Sequence, residues 1–190
     1  TQSRSSAASD VYKRQMWILW PEVLDNYARH YETGEALDLA IVERLRATET
    51  FDQGHATSEY LAAAWLDQAW HRMDTRAVVD DVAEFEAAAL ADIGLDDPVV
   101  PTRYSSTYFA HVFSGGYSAG YYSYIWSEVL DADTVDWFRE NGGLTRENGD
   151  RFRARLLGVG GSKDPLDAYR DFRGRDAEIA PLLKRRGLEA

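Results

Sequence analysis

From Trp17 onward, apolar residues recur at the three- and four-residue spacing of amphipathic helices, and no run alternates as a half-buried strand would. This pattern sets the fold class: mostly α, with many helices and little or no sheet. Helices are predicted over residues 23–31 and 36–47, separated by Gly34, and over 57–73, opened by a Ser or Thr cap near Gly54. A fourth, 81–93, stops at Gly94 and the loop holding Pro98 and Pro101. Past a glycine-rich loop, 118–130 reads as an aromatic helix and 134–141 as a short one ended by Gly142 and Gly143. Segments 146–157 and 165–172 follow, with a last turn near 177–186, and no internal repeat is visible.

A chain of 190 residues can bury one sizeable core and is equally the size of a piece of a larger protein. At 45% hydrophobic and 28% charged residues it belongs with globular chains rather than disordered ones. The net charge of −11 opposes any surface that must neutralise phosphates, and the basic cluster Lys184, Arg185, Arg186 is short, so nucleic acid is not an expected partner. Without cysteine there is no disulfide or thiolate metal site. No stretch reaches the roughly 18 apolar residues of a membrane helix, so no membrane partner is expected and the cytoplasm is the default location. Residues 1–15 are Ser- and Ala-rich and break abruptly into the aromatic run at Met16. They read as a non-native or disordered leader, because SSAASDVYKRQ resembles a recurring artefact at the ends of assembled sequences.

The chemistry concentrates in RYSSTYFAHVFSGGYSAGYYSYIW, residues 103–126. His111 precedes a loop with Gly115, Gly116 and Gly120, which feeds a tyrosine-dense helix start. Tyr117, Tyr121 and Tyr124 are spaced i, i+4, i+7, so one helical face would carry all three phenols. Such donors stabilise the oxyanion that forms when a peptide carbonyl is attacked, and flexible glycines let a loop approach a peptide. By pattern alone, tyrosine and tryptophan at helical spacing are more often core or interface filling, and Gly-Gly more often a plain turn.

The segment resembles the signature of the thimet oligopeptidase and peptidyl-dipeptidase family of zinc peptidases, carried here by His111, Ser114-Gly115-Gly116-Tyr117 and Tyr121-Tyr122-Ser123-Tyr124-Ile125-Trp126. The six-residue step from His111 to Tyr117 and the thirteen-residue step to Tyr124 look like the bacterial peptidyl-dipeptidase branch. The likeness extends to Tyr27-Ala28-Arg29-His30-Tyr31, to residues 142–149 (GGLTRENG) and to Arg185-Arg186-Gly187-Leu188. It implies that Tyr124 hydrogen-bonds the developing oxyanion, that His111 contacts the substrate backbone and that Tyr117 assists from the loop. Gly115, Gly116, Tyr121, Arg103 and Tyr104 would complete a wall that binds short peptides.

A zinc peptidase of this kind needs His-Glu-x-x-His and a third ligand. None of His30, His55, His71 and His111 begins that motif. The resemblance therefore implies a C-terminal segment, residues 16–190, of a catalytic domain whose zinc lies in a missing N-terminal part. The segment would hold no metal and be inactive alone. His55 and Glu59, at i and i+4, read as a helical contact, and Asp80, Asp81, Glu84 and Glu86 as a solvated face. A stand-alone helical module that binds a peptide or partner without turnover is the alternative.

Overall fold

The computed structural model describes residues 17–189. The expected leader over 1–15 lies outside them. Nine α-helices form among the described residues: α1 (Pro21–Tyr27), α2 (Leu39–Thr48), α3 (Gln53–His71), α4 (Val82–Ala91), α5 (Ala110–Phe113), α6 (Ser123–Glu140), α7 (Arg146–Phe152), α8 (Pro165–Arg173) and α9 (Ala180–Arg186). A π-helical turn, Arg153–Leu157, continues α7. No strand forms among these residues; one isolated antiparallel bridge joins Arg29 and Ala36. The mostly α class follows as the apolar spacing required.

Local chemistry explains most helix starts. Asp38, Asp81, Thr145 and Asp164 each accept a backbone N–H of the first turn through a side-chain oxygen, satisfying donors that a helix leaves unpaired. Pro21 and Pro165 occupy first-turn positions where no N–H is needed. The predicted Ser or Thr cap of α3 is absent. Asp52 stands there in the left-handed region at φ 58°, without a side-chain cap bond.

Two further expectations are corrected. The aromatic helix begins at Ser123 rather than residue 118, and it continues unbroken to Glu140, absorbing the separate helix expected over 134–141. Asp131 and Asp133 interrupt the apolar period and so read as a break. Both are buried, with ion-pair partners far downstream.

The chain divides into two compact units, residues 52–124 and the remainder. In the larger unit, Trp137, Phe138, Phe152 and Phe172 form a cluster against which Trp17, Trp20, Leu144 and Leu156 pack. Trp17 meets Phe138 edge-on at 4.8 Å. The Arg151 guanidinium lies 5.5 Å from the centre of the Trp137 ring, and its N–H groups reach the Phe172 carbonyl. A second cluster joins Val129, Ala132 and Leu182, which α9 supplies.

The smaller unit is built on α3. Its buried side carries Tyr60, Ala63, Ala64, Leu66 and Asp67; Tyr60 stacks on the buried Tyr121, which meets the buried Phe109 edge-on. Trp70 stacks obliquely on Phe85 of α4 at 4.1 Å, and its indole N–H donates to Ser106 Oγ at 2.8 Å. Glu86 is half-buried, which corrects its reading as part of a solvated face. It accepts from Ser105 Oγ, Ser106 N and Ser106 Oγ at 2.7–3.0 Å, and so ties α4 to the turn Ser106–Tyr108. Among the described residues no helix is long and apolar enough to cross a membrane.

Candidate active site

The residues singled out from the sequence lie within the smaller unit, on the stretch from Arg103 to Tyr124. The chain enters it through Arg103, an exposed residue whose N–H donates to the Glu59 carbonyl at 3.2 Å. Tyr104 then lies flat on Phe109, with centroids 4.9 Å apart and planes within 3°. The single turn of α5 presents His111, whose ring is 4.9 Å from Tyr104 and 6.4 Å from Tyr117.

The loop returns sharply after α5. The Gly115 N–H donates to the Ala110 carbonyl at 2.7 Å and the Tyr117 N–H to the His111 carbonyl at 3.0 Å. A Cβ at Gly115 would stand 2.9 Å from the His111 carbonyl oxygen and 3.1 Å from its Cα, so backbone contact excludes any side chain there. Gly116 adopts φ +82°, a left-handed conformation that an L side chain resists. These two glycines place Tyr117 back beside His111.

Tyr117 and Tyr124 stack with centroids 5.4 Å apart and planes 23° from parallel. The predicted reason for this proximity, a shared helical face, is incorrect: Tyr117 lies before the turns formed by residues 118–122, and of the three tyrosines only Tyr124 belongs to α6. Turns bring together what a helix was expected to align. Burial first, then the hydrogen bond and field of the Tyr117 phenol, raise the Tyr124 phenol well above its ordinary range. Like an ordinary phenol, it is neutral at physiological pH, and the shift only widens that margin.

Tyr121 occupies a different position from its neighbours. It is 4% exposed, stacked on Tyr60 at 5.3 Å, and meets Phe109, His111 and Tyr124 edge-on. It backs the wall. Tyr104, His111, Tyr117 and Tyr124 are half-buried and Gly115, Gly116 and Arg103 exposed, so all of the predicted residues but Tyr121 are accessible. The ring contacts do not extend to Arg103.

Sequence reasoning missed what holds this loop. Asp67, fully buried on α3, accepts from Ala119 N through Oδ1 and from Tyr121 N through Oδ2, both at 2.9 Å. Gln68 Nε2 donates to the Ala119 carbonyl at 2.9 Å, and Tyr60 Oη to the Tyr121 carbonyl at 2.6 Å. His71 Nδ1 lies 2.8 Å from Asp67 Oδ1 and 2.8 Å from the Asp67 carbonyl. One signal was available: Tyr60, Ala63, Ala64, Asp67 and His71 fall at helical spacing, so an aspartate occupies the apolar stripe.

His55 Nδ1 lies 4.0 Å from Asp52 Oδ2, the residue before α3. The described residues contain no group of three or more His, Cys, Asp or Glu side chains arranged to hold a metal ion. The donor set of this stretch is instead phenol, imidazole and backbone N–H, which suits binding a carbonyl or carboxylate oxygen.

Comparison with known proteins shows the family. The model of peptidase family M3 matches residues 12–188, and the chain belongs to that family. It is 45% identical over 172 residues to dipeptidyl carboxypeptidase of Escherichia coli (strain K12), covering 90% of this chain and 25% of that protein. It is 36% identical to a probable cytosolic oligopeptidase A of Arabidopsis thaliana, over 92% of this chain and 25% of that protein. With oligopeptidase A of Escherichia coli (strain K12) the identity is 34%, over 91% of this chain and 25% of that protein. The chain thus spans about a quarter of the length of the curated relatives it matches.

Proposed function

We propose that this chain is the C-terminal part of the catalytic domain of a zinc-dependent peptidase that cleaves short peptides in the cytoplasm, releasing dipeptides from the C-terminus. The high identity to dipeptidyl carboxypeptidase supports that specificity over the oligopeptidase alternative. In this reading residues of the remaining part of the enzyme would hold a zinc ion, whose chemistry when bound would be to activate a water and polarise a carbonyl at neutral pH. This chain by itself hydrolyses no peptide.

The observation that carries the reading is the Tyr117–Tyr124 stack beside His111. A neutral phenol donates weakly to a ground-state carbonyl and more strongly as that oxygen gains charge, so the interaction favours the transition state. Tyr124 takes the role of oxyanion donor. His111 and Tyr117 orient the peptide around the carbonyl, Tyr104 forms the adjoining wall, and Gly115 and Gly116 leave room for a substrate backbone. Tyr121 supports these groups from behind, and Arg103 lies at the rim.

The test is Tyr124→Phe in the full-length enzyme. Loss of one oxyanion donor lowers kcat on the order of 100-fold to 1000-fold, with KM changed far less. Tyr122, 53% exposed and one residue before α6, is the control, and Tyr122→Phe is expected to retain wild-type kcat. Wild-type turnover in Tyr124→Phe would overturn the assignment and favour a binding role for the aromatic wall.

A further inference from the structure

The segment 119–121 anchors both stacked phenols. On one side, the Gly120 N–H donates to the Tyr117 carbonyl at 2.7 Å. On the other, the Tyr121 carbonyl accepts the Tyr124 N–H at 3.4 Å, immediately before α6 rises. Whatever fixes residues 119–121 therefore fixes the backbone of Tyr117 and Tyr124 together. Ala119, at the start of this segment, sits at φ +52°, a conformation that a non-glycine residue adopts only when its surroundings enforce it.

Those surroundings come from α3. The Ala119 N–H goes to Asp67 and its carbonyl to Gln68, while the Tyr121 N–H goes to Asp67 and its carbonyl to Tyr60. Both polar groups of both residues are thus occupied by side chains of one helix. Asp67 is the common element, with one carboxylate oxygen on each N–H and no exposed surface. A buried carboxylate is costly unless donors surround it, and an apolar residue at this point of the stripe would pack without holding either N–H. Its presence is explained by the loop.

We infer that Asp67 is the positioning residue of the Tyr117–Tyr124 pair: its two carboxylate oxygens clamp the backbone at Ala119 and Tyr121 and so set where the Tyr124 hydroxyl points. His71, with Nδ1 at 2.8 Å from Oδ1, steadies the carboxylate from the next turn of α3. The inference rests on the reading of Tyr124 as oxyanion donor. Asp67 touches no substrate and acts through the loop alone.

Asp67→Asn keeps the shape but turns one acceptor into an NH2 group facing an N–H donor. In the full-length enzyme this substitution is expected to lower kcat on the order of 10-fold to 100-fold, because a displacement of about 1 Å at a catalytic group has that effect. KM rises by much less than kcat falls, since the larger part of the loss is the transition-state interaction of Tyr124. In the Tyr124→Phe background the same substitution causes a smaller loss than in the wild type, because the part of its effect that runs through the Tyr124 hydroxyl is already gone and only the part that runs through Tyr117 remains. Amide exchange at Ala119 and Tyr121 accelerates, while exchange in the later turns of α6 does not change.

Equal fold-losses in both backgrounds, or unaltered exchange at Ala119 and Tyr121, would overturn the inference. If Tyr124→Phe alone retains full kcat, the oxyanion reading falls and the exchange measurement decides whether Asp67 holds the pair. If Asp67→Asn is not recovered folded, His71→Leu carries the test, because it removes one contact to Oδ1 and leaves both backbone donors. It is then expected to lower kcat by about 3-fold to 10-fold in the wild-type background and by less in Tyr124→Phe. No effect in either background would count against the clamp.

Discussion

Asp133 in the larger unit and Asp67 in the smaller are both wholly buried carboxylates, yet their partners differ in kind. Asp133 faces charge. Arg175 donates to both of its oxygens at 2.7 and 3.0 Å, Arg173 Nε to Oδ1 at 3.1 Å and Tyr169 Oη to Oδ2 at 2.8 Å. Arg173 in turn makes a two-pronged pair with Glu140 at 2.7 and 3.0 Å. These bonds tie α6 to α8 and to the loop before α9. Asp67 meets neutral backbone N–H groups of a loop, with His71 beside it.

The difference separates two uses of a buried charge. Around Asp133 the opposite charges offset a large desolvation penalty, so removing either side leaves an uncompensated ion and the unit loses stability. Around Asp67 the partners are groups that would otherwise turn toward water, so the carboxylate chiefly determines where a loop lies. The first failure would be read in denaturation and the second in turnover.

The largest expected effect is on stability. Asp133→Ala takes the carboxylate from Arg175, leaves Arg173 with Glu140 alone and strands the buried Tyr169 hydroxyl, and is expected to cost about 3 kcal/mol in urea denaturation while the folded fraction keeps its kcat. A kcat loss comparable to that of Asp67→Asn would erase the contrast between the two carboxylates.

A smaller, pH-dependent effect should appear on the acid side. Burial alone would raise the Asp133 carboxyl, but hydrogen bonds from Arg175 and Tyr169 and the charge of Arg173 outweigh it, and its pKa falls below the ordinary 3.8. A carboxyl depressed in the folded state contributes stability that is present above the unfolded value and lost as pH falls through the folded one. The melting-temperature gap between wild type and Asp133→Asn is therefore expected to narrow below about pH 4. A gap that is constant with pH would mean that packing, and not ionisation, sets the contribution of Asp133.

The smallest effect separates burial from pairing itself. Arg146 and Asp150 form a pair at 3.0 Å on α7, with side chains 87% and 49% exposed. Arg146→Ala is expected to change stability by less than about 0.5 kcal/mol, because water screens such a pair and side-chain freedom opposes it. A loss approaching that of Asp133→Ala would show that the number of ion pairs matters more than their depth.

The sequence alone determined the helical class, the approximate extents of most helices and the stretch of chain on which the aromatic residues cluster. Those properties are local: apolar spacing, capping side chains and a contiguous motif from His111 to Tyr124 can be read within a few turns of chain. Tertiary structure decided why α6 runs unbroken past Asp131 and Asp133, since Arg185 and Arg175 lie 54 and 42 residues downstream. It also decided that Tyr117 reaches Tyr124 through turns rather than along a helix face. The donors that satisfy Asp67 lie 52 and 54 residues away, at Ala119 and Tyr121. A buried charge in an apolar stripe looks like a break or an exposed position until its partners are known, and those partners are brought to it only by the folded chain.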